Sequence, residues 1–542
     1  MAQINCVLGD VKTNISKILD NTIRAKKKNC DLVVFPELSL FGYWPADLLE
    51  RQHLIDDQLK EIEKLQNKLP EGIAILVGGI TRSKKKEKKD FKNSAIFLQK
   101  GKRAKIFSKE LLPNYDVFDE TRHFSPGDLK SNILKYKGKR IHISICEDIW
   151  AWGEAWVGSN YPSNPIKSLR GEKFDLLINL SASPFSKSKD ERRLSVVQQT
   201  AKYLKAPMVY VNLVGGQDEL IFDGGSIAVN PNGEILAESV YFDEDLNVFD
   251  LDSQSGGIRP FLTSRIKSKE KKNEFYREAL VAGIRDFVHK NKMQKVHLGL
   301  SGGVDSALVA CLAVDALGPG KVTCVALPTK FNADESYELA KQLSKNLGCK
   351  FFSLPIESTY QKSLTEFENC FGSSDFDLMN ENLQARIRGT MLMAYSNRYS
   401  SMLLATGNKS EFTVGYSTLY GDMNGGLAPI GDLLKTEVFS LCEHYNREFE
   451  LIPQRIITRP PSAELRPDQM DQDSLPDYKD LDKSVQKVVV ECRPATSPTD
   501  KFVLQKLNQS EFKRWQAPPI LRVSPHAYGT GRRFPITNGS SK

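Results

Sequence analysis

Two groups of residues in this sequence have the types and spacing that chemistry needs. The first is the string Val-His-Leu-Gly-Leu-Ser-Gly-Gly-Val-Asp-Ser at 296–306, which runs from a short apolar strand pattern through a glycine pair into a helix pattern over 305–317. Ser301, Gly302 and Gly303 make a turn in which successive backbone N–H groups can point at one anion. Asp305 and Ser306 then open a helix whose N-terminal dipole adds to that field. This is a phosphate cradle without the Walker spacing, which needs four residues between its glycines and a Gly-Lys-Ser/Thr ending. An aspartate beside a phosphate makes sense where Mg²⁺ sits between them, so Asp305 is a candidate metal ligand.

The second group is three polar residues at the ends of strand-like runs: Glu37 after Val-Val-Phe-Pro, Lys109 after Ile-Phe-Ser, and Cys146 after Ile-His-Ile-Ser-Ile. A thiol needs a base to become a nucleophile, and a carboxylate held close can take its proton. A lysine ammonium beside them favours the thiolate and can stabilise the oxyanion of a tetrahedral intermediate. His142 is a poor alternative base, since four strand residues at about 3.3 Å each place it roughly 13 Å from Cys146. His123 remains open as a partner in space.

These strings carry family resemblances. Ser-Gly-Gly-Val-Asp-Ser at 301–306 resembles the pyrophosphate loop of the ATP pyrophosphatases, which split ATP between its α and β phosphates to adenylylate a substrate. Phe-Pro-Glu-Leu at 35–38, the segment 107–120 and Ser-Ile-Cys-Glu-Asp-Ile at 144–149 resemble the three signature segments of the nitrilase-like amidases. That resemblance implies an αββα sandwich and a triad with Glu37 as general base, Lys109 as oxyanion partner and Cys146 as nucleophile. On the glutaminase members of the family, Tyr115, Ser183 and Lys189 match glutamine-binding positions. The string Leu-Ser-Ala before Ser183 departs from the usual Asn-Ala but leaves the offset to Lys189 intact.

The elements that must position these residues follow from the periodicity. In the N-terminal half, β-rich runs at 4–8, 31–35, 73–77, 95–99, 140–145 and 176–180 alternate with helix patterns at 11–28 and 56–68, which argues for a layered α/β domain. The composition turns to Ser, Lys, Arg and Glu over 263–273, and the boundary is placed there, giving domains 1–262 and 263–542. Beyond it, a helix near 274–290 precedes the phosphate turn, strands are expected at 321–326, 349–354 and 402–406, and helices at 334–347 and from 381. This βαβαβ order fits a Rossmann-like, doubly wound parallel sheet.

Arg386 and Arg388 on the later helix are surface charges or, near a nucleotide, phosphate grips. The loops 407–411, 415–422 and 431–436, with 460–467 and 512–536, resemble the synthetase domain of the NAD⁺ synthetases. The resemblance implies an ATP site made of Gly299, Leu300, Ser301, Gly302, Gly303, Val304, Asp305, Ser306, Thr406 and Lys435. It also implies contacts from Asn382, Glu411 and Lys513 to deamido-NAD⁺, and Mg²⁺ held by Asp305 and Glu411. Leu-Pro-Thr-Lys-Phe at 327–331 departs from the family's Met-Pro-Ser and tyrosine.

Composition limits the reading. At 542 residues, 26% charged and 40% hydrophobic, the chain is an ordinary globular protein too long for one core. No apolar run approaches a membrane span, and nine scattered cysteines without a Cys-x-x-Cys pair suggest reduced thiols and a cytoplasmic setting. The net charge of +8 comes largely from lysine runs at 84–89 and 267–272, and no groove-reading motif is present, so neither nucleic acid nor membrane is expected as a partner. The expected partners are glutamine, ATP and deamido-NAD⁺, in a homo-oligomer. The rival readings are another ATP-pyrophosphatase-type amidotransferase, which pairs the loop with a Cys-His-Glu or N-terminal-cysteine glutaminase, and a tRNA-modifying enzyme, which needs an RNA-binding module.

Overall fold

The computed structural model describes residues 1–84, 87–152, 161–251, 258–260, 272–373 and 375–540. The chain divides into two compact units, Met1–Lys269 and Glu270–Lys542. The boundary expected after residue 262, and residues 263–271 of the 263–273 stretch that suggested it, lie outside the described residues, as do lysines 85 and 86 of the 84–89 run.

The first unit is a four-layer sandwich. Its elements are β1 (Ala2–Gln3), α1 (Val11–Lys27), β2 (Leu32–Val34), α2 (Gln52–Lys68), β3 (Ala74–Arg82), β4 (Phe91–Gln99), β5 (Lys105–Ser108), β6 (Ile133–Tyr136), β7 (Lys139–Ile145), β8 (Leu176–Ser181), α3 (Lys189–Leu204), β9 (Met208–Asn212), β10 (Val214–Gln217), β11 (Leu220–Asp223), β12 (Ile227–Val229) and β13 (Ile235–Glu238). Short strands β14 (Asp245–Leu246), β15 (Phe249–Leu251) and β16 (Ile258–Pro260) follow. One sheet runs β2-β3-β4-β5 and the other β13-β12-β9-β8-β7-β6.

Strand alternation builds the layers. Leu76, Phe97, Ile143, Ile178 and Val211 point into the core between the sheets. Their neighbours Ile75, Val77, Ile96 and Leu98 face Ile15 and Ile18 of α1 and Ile55 and Leu65 of α2. On the far side Leu177, Met208 and Tyr210 face Val197, Ala201 and Leu204 of α3. The helices start where the sequence provides caps: Asp10 accepts from Thr13 N at 3.1 Å ahead of α1, worth about 1 kcal/mol.

The expected strand at 4–8 is absent. The chain pairs only over Ala2–Gln3, against β14, because the Asn14 side chain takes both the N–H and the C=O of Val7 at 2.8 Å and so replaces a ladder partner.

The second unit contains a parallel sheet ordered β19-β18-β17-β20. Its elements are α4 (Lys272–Lys290), β17 (Val296–Gly299), α5 (Val304–Leu317), β18 (Val322–Ala326), α6 (Asp334–Leu347), β19 (Lys350–Ser353), α7 (Glu357–Phe371), α8 (Leu378–Tyr399), β20 (Met402–Leu403), α9 (Lys409–Val414) and α10 (Lys435–Tyr445). The chain moves outward from β17 to β18 and β19, then returns to the other side of β17 as β20. That reversal is the switch point at which doubly wound sheets open a ligand crevice. Helix α5 is apolar over Ala307–Ala313, where every residue is buried. The strand expected over 402–406 shortens to Met402–Leu403, since the backbone beyond it pairs with a loop: Gly426 N donates to Leu403 O at 2.8 Å and Ala405 N to Leu427 O at 2.9 Å.

Candidate active sites

In the first unit, Cys146 directly follows β7, in the left-handed backbone region at φ +41°, a conformation that costs a non-glycine residue about 1–3 kcal/mol and must be held by its surroundings. Asp148 holds it. One of its oxygens accepts from Ile145 N at 2.8 Å, and the other from Glu110 N and Leu111 N at 3.0 and 2.9 Å, tying the segment after Lys109 to the cysteine turn.

Lys109 Nζ donates to Glu37 Oε1 at 2.8 Å and to Glu120 Oε1 at 2.7 Å, with all three side chains buried. Glu37 is fixed further by Asn93 Nδ2 at 2.7 Å and by Ala182 N at 2.9 Å. The Tyr43 hydroxyl donates to Glu120 at 2.9 Å. Burial lifts the Glu120 carboxyl to about 7. The Cys146 thiol is pushed well up by burial and then by Glu37, against the opposing pull of Lys109. The resting sulfur is therefore a thiol. The expectation that lysine would favour the thiolate is outweighed by desolvation, and the proton must leave as the sulfur attacks.

His142 is buried with Nε2 3.1 Å from Leu129 O, and burial lowers it to about 4. His123 is engaged with Asp47 at 3.0 Å. Neither accompanies the cysteine.

Beside the thiol, Tyr115 and Tyr161 both donate to Glu147 Oε1, at 2.9 and 3.0 Å. Lys189 is partly buried, its ammonium 6.0 Å from the Phe118 and Trp150 rings, and desolvation lowers it to about 8. The Ser183 hydroxyl is buried, and its N–H donates to Asn212 Oδ1 at 2.9 Å. Glu120, Glu147 and Asn93 were not singled out from sequence. Glu120 closes a segment already matched to the family, and Glu147 follows the cysteine directly, but a carboxylate in a loop carries no signal of burial.

In the second unit, a cavity of about 310 Å³ opens at the C-terminal ends of β17, β18 and β20. Gly299, Leu300, Ser301, Gly303, Val304, Asp305, Ser306, Thr406, Glu411 and Lys435 line it. Gly302 lies behind the wall at φ +78°, where a Cβ would come within 2.3 Å of Ser336 O, so only glycine fits. Arg459 grips that turn, donating to Gly302 O at 2.7 Å and to Ser336 Oγ at 2.6 Å.

Lys435 Nζ lies 2.6 Å from Asp305 Oδ2 and 3.1 Å from Glu411 Oε1, and Asn408 donates to the other Asp305 oxygen at 2.9 Å. Burial raises Glu411 to about 8. Another carboxylate on the cavity wall, Asp471, accepts from Tyr478 at 2.8 Å and Tyr416 at 3.3 Å.

Of the two arginines, Arg388 faces the cavity, donating to Leu327 O and Asn332 Oδ1 at 3.0 Å, whereas Arg386 is exposed. Asn382 and Lys513 are not on the cavity wall. They hold the 415–418 loop, Asn382 accepting from Thr418 at 2.7 Å and Lys513 donating to Gly415 O and Ser417 O at 2.8 and 2.7 Å. Buried Lys409 anchors the 408–411 loop from beneath, donating to Asp432, Ser524 and His526 O at 2.8, 2.8 and 2.7 Å.

The fold and the two sites define a carbon–nitrogen hydrolase joined to a nucleotide-dependent synthetase. Comparison agrees: residues 1–259 match the family model for carbon-nitrogen hydrolases and residues 276–517 that for NAD synthases. The chain is 42% identical to the glutamine-dependent NAD(+) synthetase of Synechocystis, covering 99% of this chain and 98% of that one. It is 37% identical to that of Aquifex aeolicus, with the same coverage. The solved structure of glutamine-dependent NAD+ synthetase from Acinetobacter baumannii in complex with adenosine diphosphate matches at a TM-score of 0.79 and 34% identity, over 99% of this chain and 97% of that one. The chain belongs to the glutamine-dependent NAD(+) synthetase family. Among the described residues, no helix is long and apolar enough to cross a membrane.

Proposed function

We propose that this chain is a ligase that takes ammonia from glutamine in its first unit and uses it, with ATP, to amidate deamido-NAD⁺ to NAD⁺ in its second. The observation that carries the first step is the buried Lys109 held between Glu37 and Glu120 beside Cys146. Glutamine places its α-carboxylate at Lys189 and the Ser183 hydroxyl, and its α-ammonium at Glu147, which Tyr115 and Tyr161 orient. The side-chain amide then reaches Cys146.

Cys146 Sγ attacks the amide carbon as Glu37 takes the thiol proton, and Lys109 donates to the developing oxyanion. Collapse breaks the C–N bond, and the proton on Glu37 leaves with ammonia. Water activated by Glu37 then cleaves the γ-glutamyl thioester to glutamate. Glu120 does not need to exchange protons in this cycle: it keeps the ammonium charged and aimed.

In the second unit the phosphates of ATP lie against the 299–306 turn, with Thr406 and Lys435 as further contacts. The nicotinate carboxylate attacks the α-phosphorus, pyrophosphate leaves onto Ser301–Ser306 N–H and hydroxyl donors, and ammonia displaces AMP. Asn382 and Lys513 shape the loop that receives deamido-NAD⁺.

Asp305 and Glu411 are the residues that would hold Mg²⁺. Two carboxylates converging on one ammonium at a phosphate turn suit an ion that binds through one or two carboxylates plus substrate phosphates. When bound, Mg²⁺ neutralises charge on the phosphates.

The test is Cys146→Ala. It removes one sulfur and leaves the second unit unaltered, so glutamine-dependent synthesis and glutamate release disappear while ammonium still supports NAD⁺ formation. Glutamine-dependent activity in that variant overturns the assignment.

A further inference from the structure

Two thiols in the second unit take no part in either site. Cys324 sits within β18, and Cys349 directly precedes β19. The parallel register pairs Cys324 with Phe351, which makes Cys349, two residues earlier, its diagonal neighbour on the same face. The two sulfurs lie 3.6 Å apart. Cys324 is wholly buried and Cys349 partly exposed, so Cys349 is the member of the pair nearer to solvent.

We propose that Cys324 and Cys349 form a reversible disulfide, closed by hydrogen peroxide and reopened by a dithiol, and that its closure weakens ATP binding. Cys349 is the attacking sulfur. The thiol of Cys324 hydrogen-bonds to it and draws it below the ordinary thiol range, while the same contact pushes Cys324 up. The Cys349 thiolate attacks one peroxide oxygen, the O–O bond breaks, and the departing oxygen leaves as water, giving a sulfenic acid. Cys324 sulfur then attacks the Cys349 sulfur, the S–O bond breaks, and the hydroxide leaves as water with the Cys324 proton. Two thiols are oxidised and one peroxide is reduced to two waters. A dithiol reverses the bond by exchange.

The consequence for ATP comes from where β18 leads. A disulfide of about 2.05 Å draws the sulfurs together by roughly 1.5 Å. The residues just beyond Cys324, from Val325 to Pro328, are a wall of the cavity. They are tied to the exit of β19 by Leu354 N to Ala326 O at 2.8 Å and Ile356 N to Pro328 O at 3.1 Å. Drawing the start of β19 onto β18 displaces that wall through those bonds.

The inference rests on the reading of this cavity as an ATP site. It is tested on the full chain with ammonium as nitrogen donor, so that oxidation of Cys146 has no bearing. Enzyme treated with hydrogen peroxide and alkylated should give a peptide linking Cys324 to Cys349 by mass spectrometry. The KM for ATP should rise several-fold, and dithiothreitol should restore it. Cys349→Ser, and Cys324→Ala as a second variant that buries no hydroxyl, should lose both the linked peptide and the peroxide-induced rise. A disulfide between other cysteines, or the linked peptide with KM for ATP unchanged, overturns the proposal. Failure of the ATP-site reading looks different: Thr406→Ala on the cavity wall would then leave the KM for ATP of the reduced enzyme unchanged.

Discussion

Replacing Lys109 by alanine removes an ammonium that two buried carboxylates share, at 2.8 Å from Glu37 and 2.7 Å from Glu120. Two effects of different kinds follow. Loss of one oxyanion partner lowers glutamine hydrolysis by about 10²–10³-fold, or ~3–4 kcal/mol of transition-state stabilisation. Removal of one member of a buried ion pair costs about 3–5 kcal/mol of folding stability, because the remaining charges are uncompensated. That is a large share of the ~5–15 kcal/mol that holds a domain folded.

The stability loss depends on pH with a definite sign. Burial already lifts Glu120 to about 7 with the lysine in place, and without it the folded carboxyl is higher still. A carboxyl raised in the fold binds a proton there that it has lost in the unfolded chain. The variant should therefore lose stability as pH rises from the unfolded carboxylate value of about 4.3 through neutrality. Adding Glu120→Gln to Lys109→Ala removes one of the two orphaned carboxylates, so the double variant should regain part of the stability and none of the glutaminase. Urea unfolding at several pH values, glutamate release and ammonium-driven synthesis separate the terms. Lys109→Ala that hydrolyses glutamine at the normal rate, or a double variant no more stable than the single one, would refute the reasoning.

Three further outcomes are expected. Asp305→Asn should reduce NAD⁺ formation from glutamine and from ammonium alike by about 10³-fold, ~4 kcal/mol at the transition state, and near-normal synthesis would remove the pyrophosphate-turn assignment. Because burial lowers Lys189 to about 8, it loses its charge as pH rises through that value, and the KM for glutamine should climb there. A flat profile separates Lys189 from the substrate carboxylate. His142 is buried neutral with its value lowered to about 4, so the unfolded chain binds its proton first. Its contribution of about 3 kcal/mol is fully present above pH ~6.5 and is lost as pH falls towards 4; His142→Gln should flatten that part of the acid-unfolding curve.

The strands and helices that carry Cys146, the phosphate turn and α8 were legible because each combines strong periodicity with a clear stop. Helix α1, expected over 11–28, runs over Val11–Lys27. What escaped depended on distant partners. The end of β20 is set by Gly426 and Leu427 and the loss of the 4–8 strand by Asn14, neither of which marks the strand itself. Glu120 and Asp471 read as ordinary loop acids until Tyr43 and Lys109, or Tyr416 and Tyr478, are brought beside them. The state of the Cys146 thiol could not be read either, since the chemistry of three residue types does not reveal how dry their site is.

Lys409 has a consequence for how the protein is made. Its partners at 432, 524 and 526 come late in the order of synthesis, whereas β1 closes against β14, well before residue 270. Domains fold as units as they emerge, at roughly 5–20 residues per second. The hydrolase unit is thus complete on the ribosome for some tens of seconds before the buried ammonium beneath the synthetase loop finds its acceptors. Any chain that stops between those points carries a finished ammonia-releasing half and an unfinished ammonia-consuming one.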